Sequence, residues 1–178
     1  MAARPAGTQA PVADPATRAT ATVNAGVSRL GGEWVTQAGG SLSFRISSFI
    51  EIGGGGRIDL SHPALTGLGS PSRLHFGYAG LQVTLRPAPR GLPGLRLGAL
   101  LGAGNLDVKD PAVGAVLDSD NGAVLEPSLS WSLPLFYGLG GGGSISWRFA
   151  YGFKALGGLA SQDLSGPAFL VRLLLGPF

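Results

Sequence analysis

Residues 125–135 read L-E-P-S-L-S-W-S-L-P-L, and this stretch decides the fold class. Leu125, Pro127, Leu129, Trp131, Leu133 and Leu135 share one parity, while Glu126, Ser128, Ser130 and Ser132 take the other. Strict alternation is the period of a β-strand, whose successive side chains point to opposite faces. Beyond a glycine-rich turn, Ile145, Trp147, Phe149, Tyr151 and Phe153 alternate with Ser144, Ser146, Arg148, Ala150, Gly152 and Lys154. The two segments are expected to form a hairpin.

The pattern recurs along the rest of the chain. Leu42, Phe44, Ile46, Ile50 and Ile52 alternate with Ser41, Ser43, Arg45, Ser47 and Glu51, and Gly53 to Gly56 then read as a turn into Ile58 and Leu60. Leu74, Phe76 and Tyr78 are out of phase with Leu81, Val83 and Leu85, so a bulge is expected at Ala79-Gly80. Leu95, Leu97, Ala99, Leu101 and Ala103 form another apolar face, as do Ala21, Val23, Ala25 and Val27. Phe169, Val171, Leu173 and Leu175 flank a single inward Arg172. Eight strands result, mostly about ten residues long, the length a tilted strand needs to cross a bilayer. Connections near 53–56, 87–94 and 137–143 read as short turns, and those near 30–39, 63–73, 107–122 and 155–167 as longer, more polar loops. The expected fold class is all-β: an eight-stranded antiparallel transmembrane β-barrel with short turns at one end and longer loops at the other.

Composition agrees with this reading. Hydrophobic residues make up 44% of the 178, only 13% are charged, and mean hydropathy is +0.28. The 31 Gly and 13 Pro are the two poorest helix formers and favour extended structure with many turns. Residues 127–147 are uncharged, but Pro134, Gly140 to Gly143 and the serines make them a poor membrane helix. The 13 cationic residues are scattered and form no basic run, which argues against nucleic acid as a partner. With no Cys there is neither a disulfide framework nor a thiolate site. Residues 1–17, Ala/Pro/Thr-rich and without an apolar signal core, are expected to be a disordered leader before a barrel domain at 18–178. On an exported reading the signal has been removed and Met1 is an artificial start.

The polarity is inside out: aliphatic and aromatic side chains take one face, while Ser, Gly, Arg and Glu take the face that a globular barrel would fill with apolar groups. An eight-stranded barrel has a narrow interior, where small residues are expected. A soluble sandwich with one solvated face gives similar alternation, but such a face would carry Lys, Glu and Thr rather than so much Ser and Gly.

On this pattern, with its loop asymmetry and terminal aromatic, the chain resembles the small eight-stranded outer-membrane barrels, the OmpA/OmpW-like superfamily of Gram-negative bacteria, over roughly residues 18–178. The stretch V-L-E-P-S-L-S-W at 124–131 is similar to one common in uncharacterised members. The resemblance implies residence in the bacterial outer membrane, contact with membrane lipid and lipopolysaccharide, and recognition of the terminal Phe178 by the barrel-assembly machinery. Phe178 follows Pro177 and is out of phase with Phe169, Val171 and Leu173, a departure from the usual terminal strand.

Candidate chemistry lies on the inward face. Arg45, Arg57, Arg96, Arg148 and Arg172 with Glu51, Asp59 and Glu126 would form an ion-pair network in the lumen, since a lone buried charge is costly. Glu126 and Arg148 are the first pair expected. Such a network reads as a structural plug or, alternatively, as a gate or polar conduit. Trp34, Trp131, Phe136, Tyr137, Trp147 and Tyr151 are candidates for the aromatic girdle at the lipid interfaces, against ordinary sheet packing. The D-S-D-N-G at 118–122 has carboxylates one residue apart, but the calcium-loop spacing fails, so a turn with solvated acids is expected and no metal site. His62 and His75, near Ser61, Ser70 and Ser72, lack an orienting acid, and the His-x-Ser arrangement of the lipid A deacylase barrels is absent. His75 is expected to face inward and His62 outward. The glycine runs are no phosphate loops, because no Lys-Ser/Thr follows them. The functional expectation is a non-enzymatic outer-membrane barrel with a structural or small-molecule passage or binding role and no cofactor. The alternatives are a soluble antiparallel barrel carrying an apolar ligand and, more distantly, a barrel-embedded lipid hydrolase.

Overall fold

The computed structural model describes residues 19–61, 64–65, 72–87, 94–154 and 159–176. The expected leader, His62, Ser70 and Phe178 lie outside the described residues. Strands β1 (Ala19–Leu30), β2 (Glu33–Arg45), β3 (Ile50–Asp59), β5 (Ser72–Leu85), β6 (Leu95–Lys109), β7 (Val116–Phe136), β8 (Leu139–Tyr151) and β9 (Gly166–Leu175) form one antiparallel sheet. A two-residue β4 (Ala64–Leu65) pairs with the start of β5. The sheet closes into one ring: β3 pairs with β5 from Ile50↔Leu85 to Ile58↔Gly77, and β1 pairs with β9 from Ala21↔Leu175 to Ser28↔Ala168. Eight strands therefore make a barrel with no free edge. No helix occurs among the described residues.

The apolar parity points outward. Leu101 is 62% exposed and Val171 70%, whereas Ser130, Ser132, Ser144 and Ser146 are buried in the interior. An outer wall this apolar far exceeds the patches that soluble monomers leave exposed. The carrier alternative needed the Leu/Trp/Phe face to line a cavity, and that face lies on the outside instead.

Several connections differ from the sequence reading. Gly53 to Gly56 are no turn; they run through the middle of β3, paired with residues 40–43 of β2 and 79–82 of β5. The turn is at 46–49, where Ile46 N–H donates to Ile50 O (3.0 Å) and the Ser47 hydroxyl accepts from Ile50 N–H (3.1 Å). The last pair is Arg45↔Glu51, with five residues between its members, so paired residues keep the same parity and alternation runs straight across the turn. Gly140 to Gly143 likewise lie inside β8, and the β7–β8 turn is Tyr137-Gly138. The expected loop at 30–39 is a two-residue hairpin: Gly31 (φ +58°) and Gly32 (φ +85°) both adopt the left-handed conformation of the turn that matches strand twist. The expected loop at 107–122 shrinks to 110–115 between strands that extend past it.

The Ala79-Gly80 bulge does not exist either. β5 pairs with β3 and β6 in unbroken register, and Leu74, Phe76, Tyr78, Gln82 and Thr84 all face inward. What changes along β5 is which side of the wall is apolar. Gly80 is required for another reason: a Cβ there would lie 2.2 Å from Leu101 O on the neighbouring strand.

Candidate functional site

The candidate site is the barrel interior, and its contents are layered. At the loop end the layer is apolar. Leu74, Phe76, Leu106, Val108, Val124 and Phe153 are buried together, with Phe76 edge-on to Phe153 at 5.7 Å between ring centroids. The β8–β9 connection closes over them: Gly31 N–H donates to Asp163 O (2.7 Å), Ala160 N–H donates to the Asp163 carboxylate (2.8 Å), and Leu164 is inserted with 1% exposure.

Arg148 sits beneath this layer. Its Nε donates to Leu164 O (2.6 Å) and Nη2 to Arg29 O (2.8 Å), and its guanidinium lies 4.8 Å from the Phe76 ring centroid and 5.7 Å from that of Tyr78. Backbone carbonyls and aromatic faces thus hold it in place of a carboxylate, with Nη1 left without a hydrogen-bond partner. The expected Glu126–Arg148 pair is accordingly absent. Asp59, also buried near the loop end, has no hydrogen-bond partner for Oδ2 and is within electrostatic reach of Arg148.

Glu126 holds the middle layer. Its carboxylate, 1% exposed, accepts from Arg57 Nη1 and from the Tyr78 hydroxyl, and Arg57 Nη1 also donates to Ser146 Oγ (3.2 Å). Beside this group, Arg172, Asn24, Gln82 and Ser144 line a cavity of about 20 Å³, room for about one water. At the turn end, Glu51 gathers Arg86 Nη1 (3.0 Å), Arg96 Nη1 (3.3 Å) and Arg45 Nε (3.8 Å). The eight charged residues singled out from sequence therefore all face inward, but they form separate clusters at different heights instead of a single network.

Sequence reasoning missed Arg86 and Tyr78. Both have the even parity of the inward face of β5; the supposed bulge, which turned Leu74, Phe76 and Tyr78 outward, hid Tyr78.

Of the six aromatic candidates, all outward, Trp34 and Tyr151 lie toward the loop end and Phe136 and Tyr137 at the turn end. Trp131 and Trp147 lie between these levels, Trp131 over Gly143, where an added Cβ would meet the indole at 2.4 Å. Trp34 packs on Phe169 at 6.0 Å. His75 points outward, opposite Asp107 on β6, contrary to the inward expectation, because no bulge reverses the phase. The acids expected in a loop are partly on the wall: Asp107 accepts from Ser119 Oγ (2.8 Å) across the β6–β7 pair. No group of three or more acidic or His side chains that could hold a metal occurs among the described residues.

Solved structures with the same architecture are small outer-membrane barrels. The attachment invasion locus protein Ail of Yersinia pestis superposes with a TM-score of 0.57 at 10% identity, covering 90% of this chain and 98% of that one. This chain has the fold of the small eight-stranded outer-membrane barrels. Neisserial surface protein A matches with a TM-score of 0.57 at 11% identity over 89% of this chain and 95% of its own. A major outer membrane protein from Thermus thermophilus matches with 0.54 at 14% identity over 89% and 99%. No family model and no curated protein matches the sequence. The barrel geometry, rather than sequence identity, carries the likeness.

Proposed function

We propose that this chain is an integral outer-membrane β-barrel of a Gram-negative envelope, acting as a structural or surface-binding component and neither as an open pore nor as an enzyme. The carrying observation is the filled interior: an apolar layer at the loop end, a Glu126–Arg57–Tyr78 group in the middle and a Glu51-centred arginine cluster at the turn end. Small-molecule passage along the axis would have to break each layer in turn. The outer wall supplies the complementary half of the reading. Hydrocarbon is the only solvent in which a continuous band of Leu, Val, Ile, Phe and Trp is stable outward, with membrane lipid and lipopolysaccharide as its neighbours. Delivery by the barrel-assembly machinery through Phe178 belongs to the same proposal.

Two measurements test it. Refolded into detergent or vesicles, the chain should show β-type circular dichroism and a gel mobility that changes only on boiling. In planar bilayers it should give no sustained single-channel conductance. A monodisperse, folded protein in plain buffer would overturn the membrane assignment, and steady conductance would overturn the closed lumen.

A further inference from the structure

The turn end of the lumen carries an imbalance of charge. Glu51, the second residue of β3, is 2% exposed, and three guanidiniums from three other positions in the wall converge on it: Arg45 at the end of β2, Arg86 just past β5 and Arg96 near the start of β6. Each guanidinium offers five N–H donors, while a carboxylate has room for about four hydrogen bonds. The shortfall is visible in the geometry. The buried Nε atoms of Arg45 and Arg96 have no hydrogen-bond partner, although Arg96 is only 4% exposed.

No second anion among the described residues compensates. Every other acid of the described residues lies toward the loop end, except Glu126, which is committed to Arg57 and Tyr78. Arg172, on β9 and inward, adds a further guanidinium with no ion pair among the described residues. Clustered cations in a water-poor interior repel one another and are costly without a counter-charge. The Arg45 and Arg86 side chains, 18% and 23% exposed, keep the cluster reachable from the turn end.

We propose that this cluster is an oxyanion site, taking a phosphate-class anion between Arg45, Arg86 and Arg96 at the turn-end mouth of the lumen. A tetrahedral oxyanion of charge near −2 matches both deficits, because its oxygens accept several N–H groups from diverging directions and its charge offsets the excess guanidinium. A single-atom halide offers the charge without the directions. The same chemistry could arrive as free anion or as the phosphate of a lipid headgroup.

The test uses the full chain refolded in an uncharged maltoside detergent, titrated with inorganic phosphate by calorimetry against chloride at matched ionic strength. One saturable site is expected for phosphate and none for chloride. Arg86→Gln, at a partly exposed side chain whose loss the fold should tolerate, should weaken binding about tenfold. Glu51→Gln should tighten it, because the competing carboxylate is removed; if that variant fails to fold, Arg86→Gln alone decides. Added phosphatidylglycerol that displaces phosphate would identify a headgroup as the occupant, and failure to displace it would identify the free anion. Equal responses to phosphate and chloride, or an Arg86→Gln titration indistinguishable from that of the parent chain, would overturn the proposal.

Discussion

Replacing Glu126 with Gln keeps the shape of the side chain and removes the only carboxylate among the described residues that touches Arg57. In the folded barrel Arg57 would retain Ser146 Oγ at 3.2 Å and whatever the amide oxygen of Gln can accept, but it would face Arg172 across a cavity of about 20 Å³ without a counter-charge. Removing one partner of a buried ion pair costs about 3–5 kcal/mol. The Arg57 side chain is 13% exposed and keeps one hydrogen bond, which places the expected loss at the lower end, about 3 kcal/mol. Removing both charges relieves the penalty. Arg57→Met combined with Glu126→Gln should return to within about 1 kcal/mol of the parent chain, since uncharged side chains of similar volume replace buried pairs at little cost. The assay is urea unfolding in phosphocholine vesicles followed by tryptophan fluorescence. Trp34, Trp131 and Trp147 all lie on the outward wall, so their emission reports departure from lipid. A Glu126→Gln loss below about 1 kcal/mol, or a double variant whose losses simply add, would refute the claim that this pair is coupled inside a low-dielectric lumen.

Three further outcomes follow from the same geometry. Leu101→Arg, on the outward face midway along β6, should cost about 2–4 kcal/mol in vesicles, as a cation at the bilayer midplane does; a change near zero would indicate a solvated wall. Gly122→Ala would put a Cβ 2.5 Å from the Phe153 ring and from Tyr151 O, and should lower the temperature at which the folded gel band is lost, by about 1–3 kcal/mol of stability. Phe153→Ala should destabilise by about 3 kcal/mol by opening a cavity beside Phe76, yet bilayers should stay non-conducting because the charged layers below remain. Sustained current from that variant would mean that the apolar layer alone closes the lumen.

The sequence by itself determined the strand class, the number of strands and, outside the first half of β5, the face that points outward. Parity is local: each residue reports only whether its side of the wall is apolar, and Leu125 to Leu135 do so without help from the rest of the chain. Inward placement of Arg45, Glu51, Arg57, Asp59, Arg96, Glu126, Arg148 and Arg172 followed from the same rule. Tertiary structure decided the connections, the register and the partners. A turn at 46–49 is invisible to parity because it preserves phase, and glycine, without a Cβ, suits a tight turn and a crowded strand equally, so Gly53 to Gly56 could not be placed from sequence. The apparent slip in β5 reflects a property of the closed barrel: near the loops the interior is itself apolar, and Leu74, Phe76 and Tyr78 are buried against Phe153 and Arg148. Ion-pair partners depend on ring closure. Arg57 meets Glu126 across the lumen from a position 69 residues away, a juxtaposition created only when β1 pairs with β9 and β3 with β5, and no spacing along the chain encodes it.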